Sequence, residues 1–563
     1  MLRFALLCVS VLPQLGLAQL VSREWQGQRY GCRCYTDDEC WPKAPAWKKL
    51  NDTVEGNLLV HVPPEAACHN TFDGPLGSIE TYNEAACACL PTDDPTSPCS
   101  LGYYGVYVID AHTKEHVQAG VNFARENNLR LIIRNTGHDF IGKRSTGYGA
   151  LIIRTHSFQE IEFIEKYRGP GCYRGRAVKL GAGAQGRNTL REAHAQDPPQ
   201  AMLTGECPTV GLVGGLVQGG GHGPWSPLKG MTADTALSFD LVTADGEFKT
   251  ANAGENSDLY WALKGGGPGN FAVVLSATFK TWNDLPSAGA YMFMNFTTIS
   301  DPDVYWEGIR IFHGHASRMT SAGLYVYFEL GELMLRVLPF VAINKSQKEL
   351  DLLTQPLLDD LRAADVPFEY ASSEYPTFFD LYTTMFEDEG PAHALTGGWT
   401  FTHEDVDENN DEIVAALRNA VNPREDLMGQ GFLVGHFFDA GHTVTKPSSA
   451  THPAFRRSVN LIITTLPVTP GASLEERADL ENLLTHVIDE PLRQLGKNGC
   501  AYVNEADPYQ DNWQQHFWGS NYERLFEIKK KWDPNGVFYA IATPGAEEWE
   551  SIEYGTRLCK PLN

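Results

Sequence analysis

The run Leu131-Ile132-Ile133-Arg134-Asn135-Thr136-Gly137-His138-Asp139 decides how the rest of the chain is read. Leu131 to Ile133 is a short apolar run that predicts a buried strand, and Asn-Thr-Gly ends it. The loop that follows lacks bulky side chains, so its backbone N–H groups are open to an anion such as a pyrophosphate. His138 adds a nucleophile whose imidazole is largely neutral near pH 7. Upstream, Val106 to Ile109 reads as a strand, and Val117, Val121 and Ala124 recur at helical spacing. Tyr103 to Asp139 is therefore strand, helix, strand. A second loop runs Gly205-Glu206-Cys207-Pro208-Thr209-Val210-Gly211, followed by Gly214-Gly215 and Gly219-Gly220-Gly221-His222-Gly223. One histidine and one cysteine thus stand in glycine-rich, backbone-exposing loops.

Four blocks carry a family resemblance: Arg134 to Asp139, Cys207 to Gly211, Gly219 to Gly223, and Leu263-Lys-Gly-Gly-Gly-Pro-Gly-Asn-Phe-Ala-Val-Val274. In this order they resemble the flavin domain of the vanillyl-alcohol-oxidase superfamily, and more narrowly its berberine-bridge-enzyme-like branch of secreted oxidases. The likeness runs from about residue 100 to 545. It implies an α+β, two-lobed flavoprotein, with a PCMH-type FAD-binding domain and an α+β substrate domain built on an antiparallel sheet.

The resemblance also implies the cofactor and its contacts. FAD would be covalently bound, with 8α-histidyl attachment at His138 and 6-S-cysteinyl attachment at Cys207; whether the second link forms beside the first is left open. Further FAD contacts would come from Arg134, Asn135, Thr136, Gly137, Asp139, Gly142 and Ser145 in the first loop, and from Thr204, Val210, Gly211, Gly214 and Gly215 around the second. Gly220, Gly221, His222, Gly223, Val273 and Asn504 complete the set. Val210 matches a position where oxidases of the family carry a small residue that leaves oxygen a path, so dioxygen is the expected electron acceptor and hydrogen peroxide the product.

The chain has 563 residues, enough for two or more lobes with sizeable cores. Residues 1–18 combine a basic residue, a short apolar stretch and the small residues Gly16 and Ala18, the pattern of a cleaved secretory signal. No other stretch approaches the roughly 18 apolar residues of a membrane span. With 45 Lys+Arg against 70 Asp+Glu, the net charge of -25 opposes binding to nucleic acid. The expected partners are a small-molecule substrate and O2; nothing indicates an oligomeric state. Sequons at Asn51, Asn295 and Asn344 fit a glycosylated, extracellular protein.

Of 12 cysteines, Cys8 lies in the signal and the remainder is odd, which flags one thiol outside any internal disulfide. Cys32, Cys34, Cys40, Cys68, Cys87, Cys89 and Cys99 crowd the first hundred residues as a disulfide-stapled segment. Cys172, Cys500 and Cys559 would complete the pairs, leaving Cys207 over; the connectivity itself is open.

Gly181-Ala182-Gly183-Ala184-Gln185-Gly186 matches the dinucleotide fingerprint G-x-G-x-x-G, follows an apparent strand (Ala177 to Leu180), precedes the helix-like Asn188 to His194, and has Glu206 about twenty residues on. That acid precedes Cys207 and a glycine run rather than closing a second parallel strand. The motif therefore reads as a structural turn. His313-Gly-His315 has no ligand partners at metal spacing, and no metal site is assigned.

Beyond Pro286 the texture changes to strand-like runs, Leu324 to Leu330 and Leu333 to Val341, mixed with the helical Gln347 to Ala363, as in an α+β lobe. The acidic stretch Glu404 to Glu412 reads as a solvated loop or helix face. The expected organisation is signal 1–18, Cys-rich segment 19–100, FAD domain 101–285, substrate domain 286–495, a return to the FAD domain over 496–545, and a tail 546–563.

Motif density returns at Tyr502-Val-Asn504-Glu505-Ala-Asp507, Phe517 to Leu525 and Lys531 to Phe538. In the family the first of these sits over the flavin and the other two close the cofactor domain. Oxidation of an alcohol needs a positioned base for the hydroxyl proton. Related sugar oxidases end this stretch Tyr-x-Asn-Tyr; here the last position is Glu505, which becomes the first candidate base, with Tyr502 as its hydrogen-bonding partner. The resemblance and this substitution together imply a secreted FAD-dependent oxidase acting on an alcohol-type substrate, phenolic or of secondary metabolism. An oligosaccharide C1 oxidase, an oxidative cyclase and a binding protein that has lost turnover are the alternatives.

Overall fold

The computed structural model describes residues 20–63, 66, 69–70, 96–97, 99–295, 299, 301–387, 393–441, 444 and 448–562. The expected signal, together with Cys68, Cys87 and Cys89, lies outside these residues.

Leu131–Arg134 is a strand, and so is Tyr107–Asp110, with the helix Lys114–Glu126 between them. Both strands pair in parallel with Leu151–Arg154, while Leu58–Val60 adds an antiparallel edge to Tyr107–Asp110. The helix begins at Thr113, whose side chain accepts from the His116 N–H, and buries Val117, Gly120, Val121 and Ala124. Covering such a branched aliphatic side chain is worth about 1.5–3 kcal/mol. Gly120 permits the close approach, because a Cβ there would stand 2.8 Å from Ile109 Cδ1 and from Ile153 Cδ1. A second sheet of this lobe is antiparallel throughout, in the order Phe248–Asn252, Ala236–Val242, Val273–Lys280, Gly175–Gly181, Ile161–Tyr167.

The dinucleotide-like glycines lie between the strand Gly175–Gly181 and the helix Gly186–His194. A Cβ on Gly183 would stand 1.9 Å from the backbone oxygen of His156, so protein backbone already fills the space a phosphate would need.

The other lobe is a seven-stranded antiparallel sheet in the order Glu369–Tyr375, Ser287–Asn295, Met334–Ile343, Tyr325–Leu330, Phe432–Phe437, Ser458–Pro467, Ala394–Thr402. The helices Pro302–Gly314, Gln347–Ala363 and His403–Val421 pack on it. Glu404 to Glu412 is the first half of the last of these, and Asp405 is buried because its carboxylate caps Thr402. His313 is buried between Asn410 and Asn460, whereas His315 contacts Asp360.

The C-terminal segment returns to the first lobe. The Trp518 indole N–H donates to the Gly265 carbonyl. Lys529, paired with Asp533, donates to the carbonyls of Asn270 and Phe538. The tail strands Glu550–Ile552 and Arg557–Pro561 form one sheet with Val21–Trp25 and Gln28–Cys32, so the two ends of the described chain meet. Cys32–Cys559 and Cys34–Cys40 are disulfides, and Cys99 is also disulfide-bonded. The expected pairing of Cys172 and Cys500 does not occur: Cys172 is an exposed free thiol and Cys500 a buried one. Cys500 sits instead against Thr400, whose hydroxyl is 3.5 Å from its sulfur. No described helix is long and apolar enough to cross a membrane.

Candidate active site

The loops at the ends of these strands and the face of the seven-stranded sheet enclose a cavity of about 490 Å³. The expected contacts Asn135, Thr136, Gly137, His138, Asp139, Ser145, Cys207, Val210, Gly211, Gly214, Gly215, His222, Asn504 and Glu505 line it. Arg134, Gly142, Thr204, Gly220, Gly221, Gly223, Val273 and Tyr502 do not. For Val273 the cause is strand alternation: its neighbours Ala272 and Val274 face the cavity and it faces the core. Gly220 and Gly221 hold the left-handed backbone, φ +120° and +75°, that turns the glycine segment away from the wall.

His138 and Cys207 are brought together around one hydroxyl. His138 Nε2 lies 2.8 Å from Thr209 Oγ1, and Cys207 Sγ lies 3.8 Å from the same atom. The surrounding walls hold the His138 imidazole below the usual histidine pKa, which favours its nucleophilic, neutral form. Asp139 shapes the loop, its carboxylate accepting from the N–H groups of Arg144 and Ser145. Arg144, a lining residue the sequence reading passed over, ties this loop to the C-terminal segment by donating to the carbonyls of Val503 and Ile541.

The opposite wall is backbone. Leu212–Leu216 forms a single wide, π-helical turn, a form frequent at functional sites. Asn135 packs on it so closely that a Cβ on Gly211 would stand 2.1 Å from Asn135 Oδ1, and one on Gly214 2.2 Å from Asn135 Cγ. The Asn135 amide donates to Thr155 Oγ1 and the Ala182 carbonyl, leaving Oδ1 buried without a partner. Gln218 Oε1 and Asn504 Oδ1 are likewise buried and unpaired. Bare glycine backbone and two convergent nucleophiles together fit a flavin dinucleotide.

Glu505 does not pair with Tyr502 as expected. The Tyr502 hydroxyl lies behind the wall, accepting from the Gly221 N–H at 3.2 Å and the Asn504 amide at 2.9 Å. Burial, with the charge of Glu505, pushes its pKa well above the ordinary tyrosine value. Glu505 instead faces His222, Nε2 to Oε2 3.6 Å. Burial pulls the His222 pKa down, but the facing Glu505 carboxylate and the charge of Glu206 outweigh it and leave the pKa raised. Against the other edge of His222 lies His436, ring centroids 4.8 Å apart, and His436 Nε2 is 3.4 Å from Glu206 Oε1. Burial, with the charge of His222, drives His436 well below the usual value. No sequence motif marks His436, on an apolar strand, or Glu206 as a site residue.

The chain matches the family described as "FAD binding domain" over residues 106–252 and that described as "Berberine and berberine like" over residues 501–541. It is 36% identical over 552 residues to the FAD-linked oxidoreductase ZEB1 of Gibberella zeae, covering 94% of this chain and 95% of that protein. It is similar to the crystal structure of the VAO-type flavoprotein MtVAO615 from Myceliophthora thermophila, with TM-score 0.84, 32% identity, and 94% and 100% of the two chains covered. The glucooligosaccharide oxidase of Acremonium strictum, studied for its 6-S-cysteinyl, 8α-N1-histidyl FAD, shares the fold at TM-score 0.66 and 17% identity, over 88% and 99% of the two chains.

Proposed function

We propose, for a chain that belongs to the VAO-type, berberine-bridge-like FAD-linked oxidoreductases, that it is a secreted oxidase of alcohol-type substrates, phenolic or of secondary metabolism, whose electrons pass to dioxygen to give hydrogen peroxide. The observation that carries the reading is the Glu505 carboxylate on the cavity wall, held against the buried imidazole of His222. Bound FAD supplies a hydride acceptor. Asn135, Gln218 and Asn504, which line the cavity, would hold it against the glycine wall. His138 and Cys207, converging on Thr209, are the two attachment points, and the linkage of the glucooligosaccharide oxidase supports this assignment.

Glu505 accepts the hydroxyl proton as the substrate C–H bond breaks, and His222, facing it at 3.6 Å, positions that carboxylate. Val210, beside Cys207 on the wall, is small enough to leave dioxygen a route. The sheet contributes Leu338, Phe432, Val434 and Ile463 to the lining, with Phe140 and Phe386 opposite. The same sheet also presents Tyr327, Glu329, Arg336 and Thr465, so the walls offer a flat apolar substrate a surface together with a few polar anchors.

The signal-like residues 1–18 support the secreted reading. Asn344, exposed in a left-handed turn between a strand and a helix, is the sequon best presented for glycosylation; Asn51 is partly buried and engaged with the Leu58 N–H. Asn295 lies on the strand Ser287–Asn295.

Peroxide release over a panel of alcohols, phenols and oligosaccharides tests the reading. Turnover with apolar alcohols or phenols is expected. Turnover confined to oligosaccharides would replace the substrate class, and a visible spectrum that no donor bleaches would leave a binding protein.

A further inference from the structure

We propose that Thr209 is the positioning residue for both covalent attachments: its hydroxyl accepts from Nε2 of His138, which leaves Nδ1 to form the bond to the flavin, and directs its own proton at the sulfur of Cys207. The proposal rests on the reading of His138 and Cys207 as the attachment points.

Thr209 is fixed through its backbone neighbours. The helix Gly186–His194 donates the Arg187 N–H to the Pro208 carbonyl at 2.9 Å and the Gly186 N–H to the Val210 carbonyl at 3.2 Å. These two carbonyls flank Thr209, so the chain is pinned on both sides of it. The glycine motif that resembles a dinucleotide fingerprint opens this helix, and its task here is to hold the cysteine loop. On the histidine side, the Asp139 carboxylate shapes the loop by accepting from the N–H groups of Arg144 and Ser145. The hydroxyl stands between the two nucleophiles, 2.8 Å from His138 Nε2 and 3.8 Å from Cys207 Sγ. His138 and Cys207 line the cavity, whereas Thr209 lies outside its lining and is exposed.

A hydroxyl has one proton to donate and can accept besides. With that proton directed at Cys207, Oγ1 is left to accept from His138. A neutral imidazole that donates from Nε2 carries its lone pair on Nδ1. The contact with Thr209 is the ring's hydrogen bond among the described residues, so Nδ1 is not committed elsewhere. A hydrogen bond donated to sulfur favours the thiolate, which is the nucleophilic form of Cys207.

Attachment at His138 breaks a C–H bond of the 8α-methyl group and forms the Nδ1–C bond. The Nε2 proton leaves by way of Thr209, whose exposure gives it a route to water. The two electrons of the broken bond stay in the ring until dioxygen takes them, with two protons, as hydrogen peroxide. The cysteinyl bond balances in the same way, with the ring C6–H bond broken.

Thr209→Val keeps the branched shape at an exposed position and removes the hydroxyl; Thr209→Ser restores it. The purified holoproteins are precipitated with acid, the released flavin is measured, the flavin peptides are mapped by mass, and NMR of the histidyl peptide identifies the linked nitrogen. Wild type and Thr209→Ser are expected to carry both links, with histidine joined through Nδ1. Thr209→Val is expected to lose the cysteinyl link from part of the protein and to give a mixture of Nδ1 and Nε2 isomers. Thr209→Val with wild-type links in wild-type yield, or Thr209→Ser as defective as Thr209→Val, would overturn the role of Thr209 and leave the attachment points standing. Wild type joined through Nε2 would do the same, and that result decides the matter even where Thr209→Val fails to accumulate. Wild type that releases all its flavin would instead remove the attachment points, and the proposal with them.

Discussion

His138 Nε2 lies 2.8 Å from the hydroxyl of Thr209, two residues beyond Cys207, so the two nucleophiles of the cavity share a neighbour although their loops come from separate sheets. A flavin ring held between them can be attached at both edges. Acid-precipitated protein is therefore expected to stay yellow, and His138→Ala to retain flavin through the cysteinyl link alone. Mass mapping of the flavin peptides decides it; a denatured wild type that releases all its flavin would remove both assignments.

Cys207→Ala is expected to leave the flavin on His138 only. Losing a ring substituent should lower the redox potential and slow reduction by substrate. Potentiometry and anaerobic stopped-flow reduction measure the two effects, and an unchanged potential would mean that Cys207 forms no bond to the ring.

Gly214→Ala tests the backbone wall. Its Cβ would stand 2.2 Å from Asn135 Cγ, and Asn135 is pinned by its bonds to Thr155 and Ala182. Asn135 must shift by more than a few tenths of an ångström. The expected result is a folded protein with circular dichroism close to wild type and strongly reduced flavin content. Full flavin loading would show that the wall is not in contact with the cofactor.

Much of this architecture is legible in sequence where the physics is local. Gln347–Ala363 is bounded as its periodicity predicts, because Ser346 and Glu349 cap it reciprocally. The loops at His138 and Cys207 are legible because glycine clusters are rare outside turns and close approaches. The rest depends on contacts between distant segments. Cys32 meets Cys559 only because the first and last strands share a sheet, so counting cysteines could not foresee that Cys172 and Cys500 stay unpaired. His436 sits among apolar neighbours on a strand whose alternation says only that it faces one side. That this side holds Glu206 and His222 is a matter of how the lobes meet.

Asp489 carries a pH dependence of stability. Burial raises its pKa to about 6, although the Thr464 hydroxyl, the charge of Arg493 and the Gly398 N–H oppose the shift. An unfolded aspartate titrates near 3.9, so the folded state holds the extra proton between these values. This group's contribution is therefore fully present below about pH 4 and is lost as pH rises through about 6. At about 1.4 kcal/mol per unit, the loss is on the order of 3 kcal/mol. Asp489→Asn should flatten the urea midpoint across pH 4 to 7; the same slope in wild type and variant would place the titrating group elsewhere.

Glu505→Gln separates proton removal from cofactor binding. The change is nearly isosteric and Glu505 is only partly buried, so packing around Tyr502 and His222 should survive. What disappears is the carboxylate that accepts the hydroxyl proton and the charge that favours the imidazolium of His222. A positioned base contributes about a hundredfold or more, and at about 1.4 kcal/mol per tenfold that is roughly 3 kcal/mol of transition-state stabilisation. Flavin content should stay near wild type while the rate of flavin reduction falls by that factor, measured by anaerobic stopped flow with a substrate from the peroxide screen. Reoxidation of chemically reduced protein serves as the internal control, since it needs no substrate base. A reduction rate within about twofold of wild type would show that Glu505 is a structural acid, and would move the base to a residue of the sheet, where Tyr327 and Glu329 line the same cavity.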